Sequence, residues 1–162
     1  MAGIKLKFNF ADLLEEIQEA GGNVDKAAAD LAELSADVVA TELRAAAASS
    51  GTPASITNKI RKKVTAEGSK CSVNVGWEMS GGSADDLSTG QKAAILNYGT
   101  PRRSVKKSDI HAEIEGEFKT LKLNRGAITG KHFIADAKKS SAKRLKTAQQ
   151  EALNKMLSDL RG

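Results

Sequence analysis

At 162 residues the chain has room for one domain with a real core and is too short for two comfortable ones, so a single domain over 1–162 is expected. Aromatic residues are only 4% of the total, which leaves a core of Leu, Ile, Val and Ala, and the single cysteine, Cys71, excludes an intrachain disulfide or a cysteine zinc cluster. The net charge of +5 is unevenly spread: residues 1–50 hold four basic against nine acidic groups, a net −5, and residues 51–162 hold 21 against 11, a net +10. Such a division suits head-to-tail self-association, or a basic surface turned toward nucleic acid.

Ile4, Leu6 and Phe8 alternate with Lys5, Lys7 and Asn9, the period of a half-buried strand. Asp12-Leu-Leu-Glu-Glu-Ile opens a short amphipathic helix that Gly21-Gly22 ends. Asn23 can cap a longer helix running to about Ala48, with Val24, Ala27, Leu31, Leu34 and Val38 as its apolar stripe and Leu43 near the edge. Ser49-Ser50-Gly51-Thr52-Pro53 stops it and starts a further helix through about Ile60. Cys71, Val73, Val75, Trp77 and Met79 then share one face of a strand, and Gly68-Ser69 turns a hairpin back to an extended segment around Val64 and Ala66. Ser80 to Gly90 reads as a mobile polar loop and Gln91 to Leu96 as a short helix.

Residues 101–130 read as a projecting basic arm. Ile110, Ile114, Phe118 and Leu121 fit a helix, whereas Ile110, Ala112, Ile114 and Phe118 fit a strand with Gly116 in line, so both readings stay open. Over 133–160 the spacing of Ile134, Ala137, Ser141, Leu145, Ala148, Ala152, Met156 and Leu160 predicts one long helix without Pro or Gly. The fold class expected is α+β, a small and mainly antiparallel sheet against long N-terminal and C-terminal helices. No run of eighteen apolar residues occurs and the N-terminus lacks the apolar stretch of a signal peptide, so a protein made in a reducing cytoplasm, with no membrane partner, is expected.

Catalytic chemistry finds little support. His111 and His132 stand in no nucleophile-base pattern and read as a surface and a structural residue. Asp85-Asp86 supplies too few metal ligands, the alternating Glu113, Glu115 and Glu117 read as an exposed face, and Ser88-Thr89-Gly90-Gln91-Lys92 lacks the glycine spacing of a phosphate loop. No metal, cofactor or enzymatic activity is expected. Three basic clusters could neutralise phosphates: Lys59, Arg61, Lys62 and Lys63; Arg102, Arg103, Lys106 and Lys107; and Lys138, Lys139, Lys143, Arg144 and Lys146, the last read as a solvated helix face. They lack the interleaved aromatics of single-strand binders, so any DNA contact would be non-specific.

Ala93-Ala94-Ile95-Leu96-Asn97-Tyr98-Gly99-Thr100, followed by a basic stretch and by Gly130-Lys131-His132-Phe133-Ile134-Ala135-Asp136-Ala137, resembles the neck, or tail-completion, morphogenesis proteins of long-tailed double-stranded-DNA phages. In that family an aromatic-Gly-Thr motif closes the core sheet region and an Arg/Lys-x-Phe-hydrophobic motif opens a long C-terminal helix. Tyr98, Gly99, Thr100, Lys131, Phe133, Ile134 and Ala137 occupy those positions, while Asn97 stands where an acidic residue is frequent and His132 where Pro is. The resemblance implies a homo-oligomeric ring in the virion, between head-closure and tail components, around the DNA channel. A tail terminator capping the tail tube and a basic non-specific DNA-binding protein are the rival expectations. Tyr98 to Thr100 would form a hinge, Phe133 an anchor, and Arg102, Arg103, Lys106 and Lys107 contacts to a neighbouring subunit or to DNA.

Overall fold

The computed structural model describes residues 1–80, 87–100, 110–114, 117–121 and 128–162. Strand β1 (Ala2–Asn9) lies against β3 (Lys70–Trp77), whose other edge takes β2 (Arg61–Glu67), giving an antiparallel sheet of order β1-β3-β2. The β2–β3 connection is the hairpin expected at Gly68-Ser69. The register Ile4↔Val75, Leu6↔Val73 and Phe8↔Cys71 puts the apolar residues of both strands on one face. Cys71, Val73, Val75 and Trp77 are all buried there, as period two requires. Met79, expected to continue that row, lies beyond the end of the strand and is exposed, because the ladder stops at Trp77.

That apolar face is covered by helix α2 (Val24–Ser49), preceded by α1 (Ala11–Glu19). Asn23 does cap α2, its side-chain oxygen accepting from the Lys26 amide at 2.9 Å. The apolar stripe expected on α2 is only one flank of what is buried. Leu34 and Val38 are half-buried, whereas Ala28, Ala32, Ala36, Val39, Ala40 and Ala47 are as buried as Leu31 and Leu43. At 100° per residue the buried positions sweep an arc of about 220°. The reason is that α2 is sandwiched. On one side Lys62 of β2 reaches Glu33 and Asp37; on the other Gln149 reaches Ser35 and Arg144 reaches Glu42. Alanines let the sheet and a second helix both approach closely.

That second helix is α5 (Phe133–Arg161), antiparallel to α2 and about 43 Å long at the usual rise. Ile134, Ala137, Ser141 and Leu145 face inward as expected, and then the stripe shifts: Leu153 and Leu157 are buried, Ala152 and Met156 only half-buried, and Leu160 exposed. Gln149 occupies the turn between Leu145 and Leu153 and donates to the Ser35 hydroxyl at 2.8 Å, so a polar pair interrupts the apolar seam there.

Short elements link these layers. Helix α3 (Ala54–Thr57) ends before the Ile60 limit expected, and the indole N–H of Trp77 donates to the Ile56 carbonyl at 2.7 Å. Ile60 is buried without being helical. Helix α4 (Thr89–Tyr98) is longer than expected because Ser88 and Gln91 form a reciprocal capping box, which draws Thr89 and Gly90 out of the presumed loop into the first turn. Asp85 and Asp86 lie outside the described residues.

Among the described residues of 101–130, the ambiguous stretch is two short strands and neither one helix nor one strand. Strand β4 (Gly99–Thr100) pairs with β7 (Ile128–Thr129), and β5 (Ile110–Ile114) pairs with β6 (Glu117–Leu121), in register Ile110↔Leu121 and Ile114↔Glu117. The architecture is α+β.

Candidate functional site

The two motif segments that are far apart in sequence meet at one corner of the fold. Helix α4 ends at Tyr98, and Gly99 leaves it with φ +78, a left-handed conformation that suits glycine. A side chain there would also collide with the Ile128 carbonyl, since a Cβ would stand 2.3 Å from its oxygen. Thr100 then accepts a hydrogen bond on its hydroxyl from the Ile128 amide at 3.2 Å. The returning chain is tied in turn: the Lys131 amide donates to the Leu96 carbonyl at 3.0 Å and the His132 amide to the Asn97 carbonyl at 2.9 Å. Gly130 passes so close that a Cβ would meet the Tyr98 carbonyl carbon at 2.6 Å.

Asn97 is the residue that joins the halves. It is 2% exposed, and its side-chain oxygen accepts from the Ile134 amide at 2.8 Å. This satisfies a free amide in the first turn of α5, a service normally given by the residue preceding a helix. His132, which holds that preceding position, cannot give it: its φ is +51 and its side chain makes no cap. One residue on, Phe133 is 1% exposed and meets Trp77 edge to face, ring centroids 5.8 Å apart, which anchors α5 to the end of the sheet. Ile134 and Ala137 are buried beside it, while Lys131 is exposed. Tyr98, by contrast, is 65% exposed, and Ile128 in the same corner is also open to solvent.

The hinge residues Tyr98, Gly99 and Thr100 and the anchor Phe133 are therefore brought together. Arg102, Arg103, Lys106 and Lys107 lie outside the described residues. Asn97 appeared in the sequence only as a departure from a pattern, and its capping role had a single legible signal, a short polar side chain in an otherwise apolar helix end. The arrangement supplies backbone stitching, one aromatic anchor and an outward-facing Tyr98. It can hold a segment in place and leaves Tyr98 open to a contact. Comparison with protein-family models, curated proteins and solved structures gave no match.

The basic clusters are distributed differently from their order in sequence. Lys62 lies on the helix-facing side of β2, where it bridges Glu33 and Asp37, each at 2.9 Å, and these hydrogen bonds raise its pKa above the usual lysine value. Arg61 and Lys63 point to the opposite face of the strand. On α5, Arg144 pairs with Glu42 at 2.6 Å, and Lys138, Lys139, Lys143 and Lys146 are exposed along the helix. Cys71 is buried against the Ala28 carbonyl, and burial raises the pKa of its thiol. Among the described residues no three His, Cys, Asp or Glu side chains gather as a metal site, and no helix is long and apolar enough to cross a membrane.

Proposed function

We propose that this chain is a non-enzymatic structural subunit of the head-tail connector of a long-tailed phage. It would form a homo-oligomeric ring that joins the portal side of the capsid to the tail around the DNA channel. The observation that carries this reading is the Asn97–Ile134 hydrogen bond. It fastens the aromatic-Gly-Thr motif to the Lys-x-Phe helix start across 37 residues of sequence, so the two halves of the resemblance are one structural unit. Supporting it are the long α5, which packs along α2, and the exposure of Tyr98 at the end of α4. Identical subunits in a ring meet through unlike faces, and the chain carries unevenly spread charge of both signs from which such faces can be made.

The test is to interrupt the gene in its phage and image the lysate by electron microscopy. The expected result is DNA-filled heads and separate tails of normal length, with the missing density at the neck. Normal tailed particles would overturn the reading. Tails of uncontrolled length would place the chain at the tail terminus instead, and normal particles with altered DNA packaging would favour the DNA-binding rival.

A further inference from the structure

The sheet has two faces, and among the described residues only one is covered. Because Ile4, Leu6 and Phe8 turn toward α2, Lys5 and Lys7 turn outward on β1; by the same alternation Arg61 and Lys63 turn outward on β2. The register sets Lys5 and Lys63 on either side of Asn74, and Lys7 and Thr65 on either side of Ser72. All four cations are exposed, and none has an acidic partner among the described residues. The centre of this face is low and polar, with a shallow cleft of about 340 Å³ bordered by Lys5, Lys63 and Asn74. Lys62, next to these residues in sequence, takes no part, since it is already paired on the covered side.

The complementary surface is carried by the same chain. On α1, Asp12, Glu15, Glu16 and Glu19 are all exposed, and at 100° per residue they fall within an arc of about 100°. Leu14 and Ile17, buried against the core, hold the opposite side of that helix. The stripe contains no cation and, among the described residues, no ion pair. Its four carboxylates span about 10 Å along the axis. The four cations form a staggered parallelogram, with Lys5 and Lys63 sharing the Asn74 row, Lys7 one row to one side and Arg61 one row to the other, about 13 Å along the strands and two strand spacings, about 10 Å, across. The patches match in charge count and are opposite in sign.

We infer that the uncovered sheet face of one subunit receives the acidic stripe of α1 from a second copy of this chain. The contact is heterologous, so each subunit offers one face to each neighbour, and repetition gives a ring or a filament. This names the subunit contact of the ring proposed above and rests on that reading for closure. Exposed charge pairs are screened within about 8 Å at physiological salt, so the association weakens as ionic strength rises.

Two full-length variants test it by analytical ultracentrifugation at low and high salt. One carries Lys5→Glu, Lys7→Glu, Arg61→Glu and Lys63→Glu; the other carries Asp12→Lys, Glu15→Lys, Glu16→Lys and Glu19→Lys. The wild-type chain is expected to form oligomers that dissociate with salt, and each variant alone is expected to associate about a hundredfold more weakly, because like charges now face each other. An equimolar mixture of the two should assemble again, since every contact in an alternating array regains opposite charges. The corresponding Gln and Asn variants, which leave the fold less perturbed, should weaken association to an intermediate degree. Variants that assemble like the wild type would overturn this contact and leave the ring standing. A wild-type chain that stays monomeric at low salt, alone and when co-expressed with its head and tail partners, would overturn both. If the sheet-face variant assembles normally and loses salt-sensitive retention on duplex DNA, the face belongs to nucleic acid and the inference fails.

Discussion

The sandwich of sheet, α2 and α5 and the corner at Asn97 to Phe133 are held by different means. The sandwich is an area effect: alanines and small aliphatic side chains of α2 fill the space between two layers, and its hydrophobic contributions are many and individually modest. The corner is a position effect, in which a few backbone amides, one buried Asn and one left-handed Gly set the geometry. A layer tolerates exchange of like for like, whereas a stitched corner depends on particular atoms. The difference teaches where a change alters stability alone and where it alters the junction between α4 and α5.

Phe133 belongs to both regions, so its loss should be the largest. Phe133→Ala is expected to destabilise the fold by about 3–5 kcal/mol, read by urea unfolding with the fluorescence of Trp77, the chain's single tryptophan. His132→Pro comes next, at about 3 kcal/mol, because proline holds φ near −65° where His132 has +51 and also removes the amide that donates to Asn97. Retention of full stability in this variant would mean that the corner can be rebuilt in another conformation, and the contrast with the sandwich would weaken. A paired comparison sharpens it further. Asn97→Ala should cost about 1–2 kcal/mol through loss of the cap, whereas the volume-conserving Leu43→Met within the sandwich should cost less than about 1.5 kcal/mol with no change in the 96–134 junction. Hydrogen exchange at the Ile134 amide reads the junction directly: Asn97→Ala should accelerate it, and Leu43→Met should leave it as it is.

The smallest effect is electrostatic. Lys62 is 41% exposed on its side chain, so its bridge to Glu33 and Asp37 contributes at most about 1 kcal/mol. Since its folded pKa is raised, that contribution is fully present below the ordinary lysine value and is lost as pH rises through the folded one. Lys62→Met should therefore differ from the wild type near neutrality and converge with it in strongly alkaline solution, as urea midpoints across that range would show.

Period-two and period-3.6 patterns made β1, β3, α1, α2 and α5 legible, because one face of each must be apolar wherever it packs. The same patterns misplaced the buried side of α2. Alanine is ambiguous on a hydropathy scale, and a helix buried on two sides has no single stripe to find. They also missed the drift of the α5 seam past Gln149, since a polar residue is counted as outward until its partner, Ser35, is known. At the site, Gly99, Thr100 and Phe133 could be singled out by residue type. Asn97 could not, because its role depends on an amide 37 residues away.

Sequence by itself determined the main secondary elements, β1, β3, α1, α2 and α5, the absence of an intrachain disulfide and the division of charge, all of which depend on residue identity and local spacing. Only the tertiary structure decided which charges remain unpaired. Register and strand alternation turn Lys62 inward to Glu33 and Asp37 and leave Lys5, Lys7, Arg61 and Lys63 together on an open face. Neighbours in a sequence share a cluster on paper, but on a strand they point to opposite sides, and a partner meets only one of them.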